Sequence, residues 1–444
     1  MEMVPDDVLA LIFICCFEED RFVSVARAAP YEGQEWIGDR FRVGAPFEMV
    51  ATCVTRRWRG LAINMARLWS NIFIIPFQSQ KTLEIYLARS RETLLDIYFM
   101  LDDSYLPEIE YDKEDSLALS LAMVVPHVHR WRRCIIRSYS YPTIEQIVTA
   151  VRESTAQNLE HFVMYLRASL SREDLSYSEF AFRSSIFMGG APRLKYVECI
   201  GASIESCWPP THALTDLRFD VDESYEDVGP PAHPLTSDRF IELLSSVPTL
   251  VNLKLRGHVV ELRHTDSAVE LPHLTSLAID FDWDGSYATN LCNLISCPAL
   301  ISLKLYQMTE QETIDVIAHV VKDSPRLLKY PALANLEIYD AAYFDINYNF
   351  VTALPTVVHL NLSKCTATPT ILGNLAKLYS QPNGGDLWPR LQSLTINPYY
   401  WYWEQDLHAF LISRTKIVHP LLNLRLNGDD VDPNLFLKDK NEGT

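Results

Sequence analysis

One phrase recurs along the chain: a proline, then apolar residues in the spacing LxxLxL or a close variant. A clear copy begins at Pro248 and continues with Leu250, Leu253 and Leu255. The first apolar residues of nine successive copies are Leu194, Leu214, Leu250, Leu274, Leu300, Leu333, Val357, Leu391 and Leu421. Weaker copies begin at Trp131 and Leu159. A phrase that returns in series along a chain indicates stacked strand-plus-helix units. Each such unit buries its apolar positions against its neighbours.

The segments between the phrases support an α/β fold. Helix-like apolar spacing occurs at Asp238–Ser246, Glu310–Val321, Pro369–Tyr379 and Glu404–Ser413. We therefore predict a solenoid in which the strands form one curved parallel sheet and the helices lie outside it.

Composition narrows the class of protein. The chain has 444 residues, of which 48% are hydrophobic and 22% charged, as in folded proteins. Its net charge of -18 repels phosphate backbones and anionic membranes, so we expect neither nucleic acid nor a membrane as partner.

The nine cysteines form no CxxC pair, which indicates a reducing, intracellular location in the cytoplasm or nucleus. The apolar run Leu9–Phe17 follows acidic residues and is too short to span a bilayer, so we expect no targeting or transmembrane segment.

Two apolar helices are predicted near the N-terminus. The first begins near Pro5, with Asp6 and Asp7 at the positive end of its dipole. The second follows an irregular insertion at about 20–45 and runs through Trp58. Both helices carry more apolar surface than a segment of this size can bury by itself.

The residues of this segment resemble an F-box. The resemblance rests on Val4-Pro5 with its apolar helix, CVTRRWR at Cys53–Arg59 and RLWS at Arg67–Ser70. The phrases that follow are similar to the divergent leucine-rich repeats often found behind an F-box. Two features depart from the family: Val4 stands where leucine is usual, and the link between the helices is long. The resemblance implies a substrate receptor of an SCF-type ubiquitin ligase, docking a Skp-type adaptor and through it a cullin while the repeats bind a protein substrate.

On this basis we predict an F-box module at 1–70 and a leucine-rich repeat solenoid at 71–444. The residues expected to contact the adaptor are Val4, Pro5, Val8, Leu9, Ile12, Phe13, Val50, Val54, Trp58 and Leu61. The structural alternative is an ordinary two-helix core element. The functional alternative is a repeat scaffold for protein interactions without a ubiquitin-ligase role.

The substrate surface is predicted on the strands, where residues between the apolar positions face away from the core. Arg218, Lys254, Arg256 and Lys304 form a basic stripe there, which we interpret as a site for an acidic or phosphorylated segment. The alternative, which we favour, is a solvated face whose cations pair with Asp216, Glu337 and their neighbours. Four aromatic residues are further candidates, the last two of them as hot spots or as a cap on the terminal repeat: Tyr306, Tyr339, Trp401 and Trp403.

Motifs for chemistry are weak. Asp280, Asp282, Asp284 and Gly285 match the opening of a calcium loop, but its twelfth position is Leu291 instead of glutamate. His127 and His129 have no further ligands at metal-like spacing. No P-loop or nucleophile-elbow motif occurs. We therefore predict no enzymatic activity, cofactor or metal.

Overall fold

The structure is a computed structural model. It describes residues 4–26, 46–76, 78–101, 113–138, 140–166, 185–201, 208–220, 235–262, 268–280, 287–321, 328–344, 346–381, 387–397, 403–416 and 421–433. The fold is α/β, and its strands are mostly parallel. None of the helices in these ranges combines the length and apolarity that crossing a membrane requires.

The chain divides into two compact units. The first unit comprises Met1–Ser169, Phe182–Leu194 and Cys207–Pro210. Its helices are α1 (Asp6–Ala26), α2 (Phe47–Val54), α3 (Arg56–Asn64), α4 (Gln80–Ser90), α5 (Lys113–Val124) and α6 (Tyr141–Val151), with 3-10 turns at Ala66–Trp69 and Val125–Arg130. Its strands are β1 (Asn71–Ile74), β2 (Leu95–Leu101), β3 (Trp131–Ser138) and β4 (His161–Leu166). They pair in that order, all parallel.

The second unit contains a large, mostly parallel sheet. Its helices are α7 (Ser237–Ser245), α8 (Tyr287–Leu294), α9 (Glu310–Val321), α10 (Tyr348–Ala353), α11 (Thr368–Tyr379) and α12 (Glu404–Thr415). The strands of the sheet are β5 (Tyr196–Ile200), β6 (Asp216–Asp220), β8 (Asn252–Arg256), β11 (Ser276–Asp280), β13 (Ser302–Tyr306), β14 (Asn335–Tyr339), β15 (His359–Ser363), β16 (Ser393–Asn397), β17 (Asn423–Leu426) and β18 (Asp429–Val431). They pair in that order, and only the last pair is antiparallel. Two further parallel pairs join β7 (Leu235–Thr236) to β9 (Val260–Glu261), and β10 (Val269–Glu270) to β12 (Ile295–Ser296).

The apolar phrase sets the register of this sheet. Leu253 of β8 aligns with Leu217 and Leu277 on either side, and Leu255 aligns with Phe219 and Ile279. The same two rows continue through β17, and all of these side chains are buried except Leu426 at the end of the second row. Parallel pairing of the strands predicted from these phrases is therefore confirmed. Continuous buried rows are what a stacked repeat requires, since no single strand can bury its apolar face alone.

The proline of each phrase has a structural reason. In the turn before β8, the N–H of Leu250 donates to the carbonyl of Val247 at 3.2 Å, so Pro248 is the second residue of a four-residue turn. Turns with the same bond end at Leu194, Leu274, Leu300, Leu333, Val357 and Leu391. Proline suits this position because its ring fixes φ near the value that the turn needs, and its missing N–H is not required there.

The end of the strand is repeated as well. The residue after five of the strands has a positive φ, and its N–H donates to the last carbonyl of the next strand: Gly201, Gly257, Gln307, Asp340 and Lys364. For Lys364 the φ is 54° and the bond to Asn397 is 2.6 Å. These turns therefore leave the sheet at the same level after each of the five strands. The turn after β15 places the side chain of Lys364 beside the neighbouring strand β14.

The predicted helices of the second unit agree closely with α7, α9, α11 and α12. The predicted boundary at residue 70 lies inside the first compact unit. Trp69 explains this, because its buried ring packs edge-to-face on Tyr86 of α4 at 5.1 Å and lies under the guanidinium of Arg89 at 4.3 Å. The N-terminal helices and the first strands thus share one core.

Candidate functional site

Helix α1 is apolar on more than one side, and over residues 6–18, whose side chains are described, the structure buries only one of them. Leu9, Phe13 and Phe17, spaced four residues apart, are buried. The ring of Phe13 lies 5.6 Å from that of Phe47 in α2 and 4.9 Å from that of Trp58 in α3, both edge-to-face. This aromatic cluster fixes which side of α1 faces inward.

Helices α2 and α3 are held to the rest of the first unit by buried polar contacts. The hydroxyl of Tyr86 donates to the carboxylate of Glu48, and both residues are buried. Burial, together with the Glu48 charge, raises the pKa of Tyr86 well above its usual value, so the phenol stays protonated. The indole N–H of Trp69 donates to the carbonyl of Ala62 at 2.9 Å. The orientation of both short helices is therefore fixed.

A group of apolar side chains on α1, on α2 and just before α1 is left in solvent. We call it the docking face: Val4 (45% exposed), Val8 (42%), Leu11 (62%), Ile12 (44%), Val50 (47%) and Val54 (51%). Among the residues that the structure describes, fifteen large hydrophobic side chains are exposed, and these six are among them. Such a concentration on two neighbouring helices is typical of an interaction surface.

The predicted adaptor contacts differ in how exposed they are. Six of them are exposed: Val4, Pro5, Val8, Ile12, Val50 and Val54. Trp58 and Leu61 are half-buried, whereas Leu9 and Phe13 are buried in the aromatic cluster and are not part of the docking face. Leu11, which was not among the predicted contacts, is exposed. Its spacing of three from Val8 is the signal that could have identified it.

The outward side of the second unit's sheet is polar, as alternation predicts. Its central row is Glu198, Arg218, Lys254, Ala278, Lys304, Glu337, Asn361, Thr395 and Arg425, each at the same register position on successive strands. The four cations of the predicted basic stripe lie on this side of the sheet: Arg218, Lys254 and Lys304 are in the central row, and Arg256 is two residues further along its strand.

The cations of the basic stripe have carboxylate or aromatic neighbours. Arg256 lies 3.5 Å from Asp220 and 3.2 Å from Asp280, one on each side. The ammonium of Lys304 lies 3.2 Å from Glu337, and that of Lys254 lies 5.5 Å from the ring centre of Tyr306.

Arg218 completes the stripe, 3.9 Å from Glu198. The Glu198 carboxylate also accepts a 2.7 Å bond from Tyr196. Burial and this carboxylate raise the pKa of Tyr196. The pairing favours the alternative of a solvated face whose charges are matched internally.

The aromatic candidates differ in exposure. Tyr306 is buried and Tyr339 is half-buried, with ring centres 5.4 Å apart and the Lys364 ammonium 5.3 Å from the Tyr339 ring. Trp403 is buried at the start of α12, which favours the capping interpretation for that residue. Trp401 lies outside the described residues.

The motifs considered for chemistry form no site in the described ranges. Asp280 is engaged by Arg256, Asp282, Asp284 and Gly285 lie outside the described residues, and Leu291 at the twelfth position is buried in α8. The rings of His127 and His129 are 6.4 Å apart, and no group of three His, Cys, Asp or Glu residues there is placed to hold a metal ion. The buried Asp96 carboxylate receives two 2.9 Å bonds from the guanidinium of Arg132, a structural ion pair.

Comparisons with known proteins add little to this picture. No protein-family model matches the chain, and no curated protein matches it. Among solved structures, it is similar to a Bacteroides fragilis protein whose crystal structure was determined by the Northeast Structural Genomics Consortium. The identity is 15%, the match covers 68% of this chain and 76% of that one, and the TM-score is 0.39. Similarity at this level carries no argument about function.

Proposed function

We propose that this protein is an F-box protein with leucine-rich repeats, acting as the substrate-recognition subunit of an SCF-type ubiquitin ligase. The docking face would bind a Skp-type adaptor, which links the chain to a cullin, and the sheet of the second unit would bind a protein substrate. Its contribution to ubiquitin transfer would be proximity, with no chemistry of its own.

One observation carries the proposal: six exposed apolar side chains, five on α1 and α2 and Val4 just before α1, in a segment whose sequence resembles an F-box. Their exposed fractions together equal about three whole side chains, whose burial would contribute on the order of 4–9 kcal/mol. A gain of that size only offsets the ~4–15 kcal/mol that association itself costs, so the net affinity must come from the apolar surface that the adaptor buries in turn and from added polar contacts.

A charged substitution on the docking face tests the proposal. In Ile12→Asp, the complex would bury an unpaired carboxylate, and we expect the affinity for a purified Skp-type adaptor to fall by more than about 100-fold in titration calorimetry. Ile314→Asp is the matched control, because Ile314 on α9 has a similar exposed fraction of 46%. Absence of binding by the wild type, or equal binding by both variants, would refute the proposal.

Cysteine footprinting provides a second readout. Cys15 and Cys53 are exposed and follow Ile12 and Val50 by three residues, which places each on the same side of its helix as the docking face. Burial raises the pKa of Cys297 to about 12, so such buried thiols react slowly. We expect the adaptor to protect Cys15 and Cys53 from alkylation, as measured by mass spectrometry. Equal labelling with and without adaptor would contradict docking at this face.

A further inference from the structure

Arg57 connects the start of α1 to α3. It lies in the first turn of α3, where the side chain of Thr55 caps the helix by accepting from the N–H of Trp58 at 3.1 Å. The Nε of Arg57 donates to the Asp6 carboxylate at 2.7 Å, and its Nη2 lies 2.6 Å from the same oxygen. Nη2 also donates to the backbone carbonyl of Val4. One guanidinium thus holds two points that lie more than fifty residues away in sequence.

The segment that Arg57 holds has little else to fix it. Every residue from Val4 to Val8 is exposed, and the first buried side chain of α1 belongs to Leu9. Within the described part of the chain, the hydrogen bonds from this segment to another element are those of Arg57. The first turn of a helix lacks partners for its own N–H groups and frays readily. Val4 and Val8, two members of the docking face, lie on this segment.

We infer that Arg57 is a positioning residue for the docking face: it fixes the first turn of α1 so that Val4 and Val8 are ordered before a partner binds. This inference rests on the proposed function, since it concerns the same face. Ordering an interface in advance lowers the entropy lost on association, so loss of Arg57 weakens docking even though Val4 and Val8 keep their side chains. The guanidinium suits the role because its fork can bind a carboxylate and a carbonyl at once.

The chain offers a matched control in Arg67. Arg67 pairs with the Glu18 carboxylate, so it also joins α1 to a later element through an exposed ion pair. Glu18 lies ten residues beyond Val8, past the docking face. Arg57→Ala and Arg67→Ala therefore remove the same side chain and the same charge, and only the first releases the segment that carries Val4 and Val8.

The experiment compares Arg57→Ala and Arg67→Ala in the full chain. Hydrogen exchange of the amides of residues 9–12, the first in α1 with intrahelical acceptors, should become about tenfold faster in Arg57→Ala and stay unchanged in Arg67→Ala. The affinity for a purified Skp-type adaptor should fall about tenfold in the first variant, equivalent to about 1.4 kcal/mol, and less than about twofold in the second. Asp6→Asn, which keeps the bond to the Val4 carbonyl, should show a smaller loss of the same sign and serves if Arg57→Ala fails to fold.

A double-mutant cycle separates positioning from direct contact or general stability. In a Val4→Ala/Val8→Ala background, Arg57→Ala should lower the affinity by less than about twofold, because the residues that it positions have lost their side chains. A full tenfold loss in that background would overturn the inference, as would wild-type exchange and affinity in Arg57→Ala. If the wild-type chain does not bind the adaptor, the proposed function fails. If it binds and Arg57→Ala binds equally well, the positioning role alone fails.

Discussion

Truncating two neighbouring residues of α1 should affect two different properties, the stability of the fold in one case and adaptor binding in the other. Phe13 is fully buried between the rings of Phe47 and Trp58, whereas 44% of Ile12 is exposed on the docking face. Phe13→Ala removes the centre of the aromatic cluster. Ile12→Ala removes a side chain whose exposed part contributes nothing to folding.

The magnitudes follow from burial. A fully buried phenylalanine replaced by alanine costs about 3–5 kcal/mol, through lost transfer free energy and the cavity that remains. Two edge-to-face pairs are lost with it, which places the expected value toward the upper end of that range. For Ile12→Ala we expect a change in unfolding free energy within about 1 kcal/mol, because the side chain is only partly buried and a largely exposed position tolerates truncation.

The assay must report on α1–α3 alone, since the parts of a chain that forms two compact units need not unfold together. Native-state hydrogen exchange of the amides in α1, α2 and α3 gives the local opening free energy. Phe13→Ala should bring these amides close to unprotected rates, and Ile12→Ala should leave them near wild type while weakening adaptor binding. Equal loss of protection in the two variants would show that the assignment of a core side and a docking side to α1 is wrong.

Two further predictions concern the first unit. Burial, and secondarily the nearby Arg133 charge, lowers the pKa of His161 below its usual value. Below a pH of about 6.5, the unfolded chain therefore binds a proton at His161 that the folded chain does not bind. The thermal unfolding temperature should therefore fall as the pH drops from 7.5 to 5.5, and His161→Gln should reduce that slope; an unchanged slope would exclude His161 as its source. Separately, a fragment of residues 1–70 should show no cooperative unfolding by circular dichroism, because Trp69 loses its packing contact with Tyr86. A fragment of residues 1–210 should unfold cooperatively. A cooperative transition in the shorter fragment would contradict the shared core.

The repeated phrase allowed most of the second unit to be predicted. Leucines at fixed spacing mark both the strand and its buried side, so Leu253 and Leu277 could be matched before their pairing was known. The short pairs β7–β9 and β10–β12 were not predicted, since two-residue strands carry no periodic signal. The hairpin between β17 and β18 was also missed, although its turn residues Asn427 and Gly428, both with positive φ, are a recognised signal for such a turn.

The candidate sites depended on contacts between distant residues. The sequence predicts the basic stripe from Arg218, Lys254, Arg256 and Lys304, with Asp216 and Glu337 as partners, and of these two Glu337 lies beside a stripe cation, Lys304. Parallel register then placed Glu198, Asp220 and Asp280 beside its arginines, although Asp220 and Arg256 are 36 residues apart. Charge matching across strands is a property of register, and it can be read from the sequence only after the strands have been aligned.

The sequence by itself determined the α/β fold and its parallel strands, because a local spacing of apolar residues decides which side of each strand is buried. It also determined that α1 would have more apolar surface than it could bury alone. Only the tertiary structure decided which of these residues remain in solvent: Phe47 and Trp58 enclose Phe13, Arg57 fixes the first turn, and Val8, Leu11 and Ile12 face outward. A helix that is apolar on several sides has no preferred orientation until its neighbours pack against one of them.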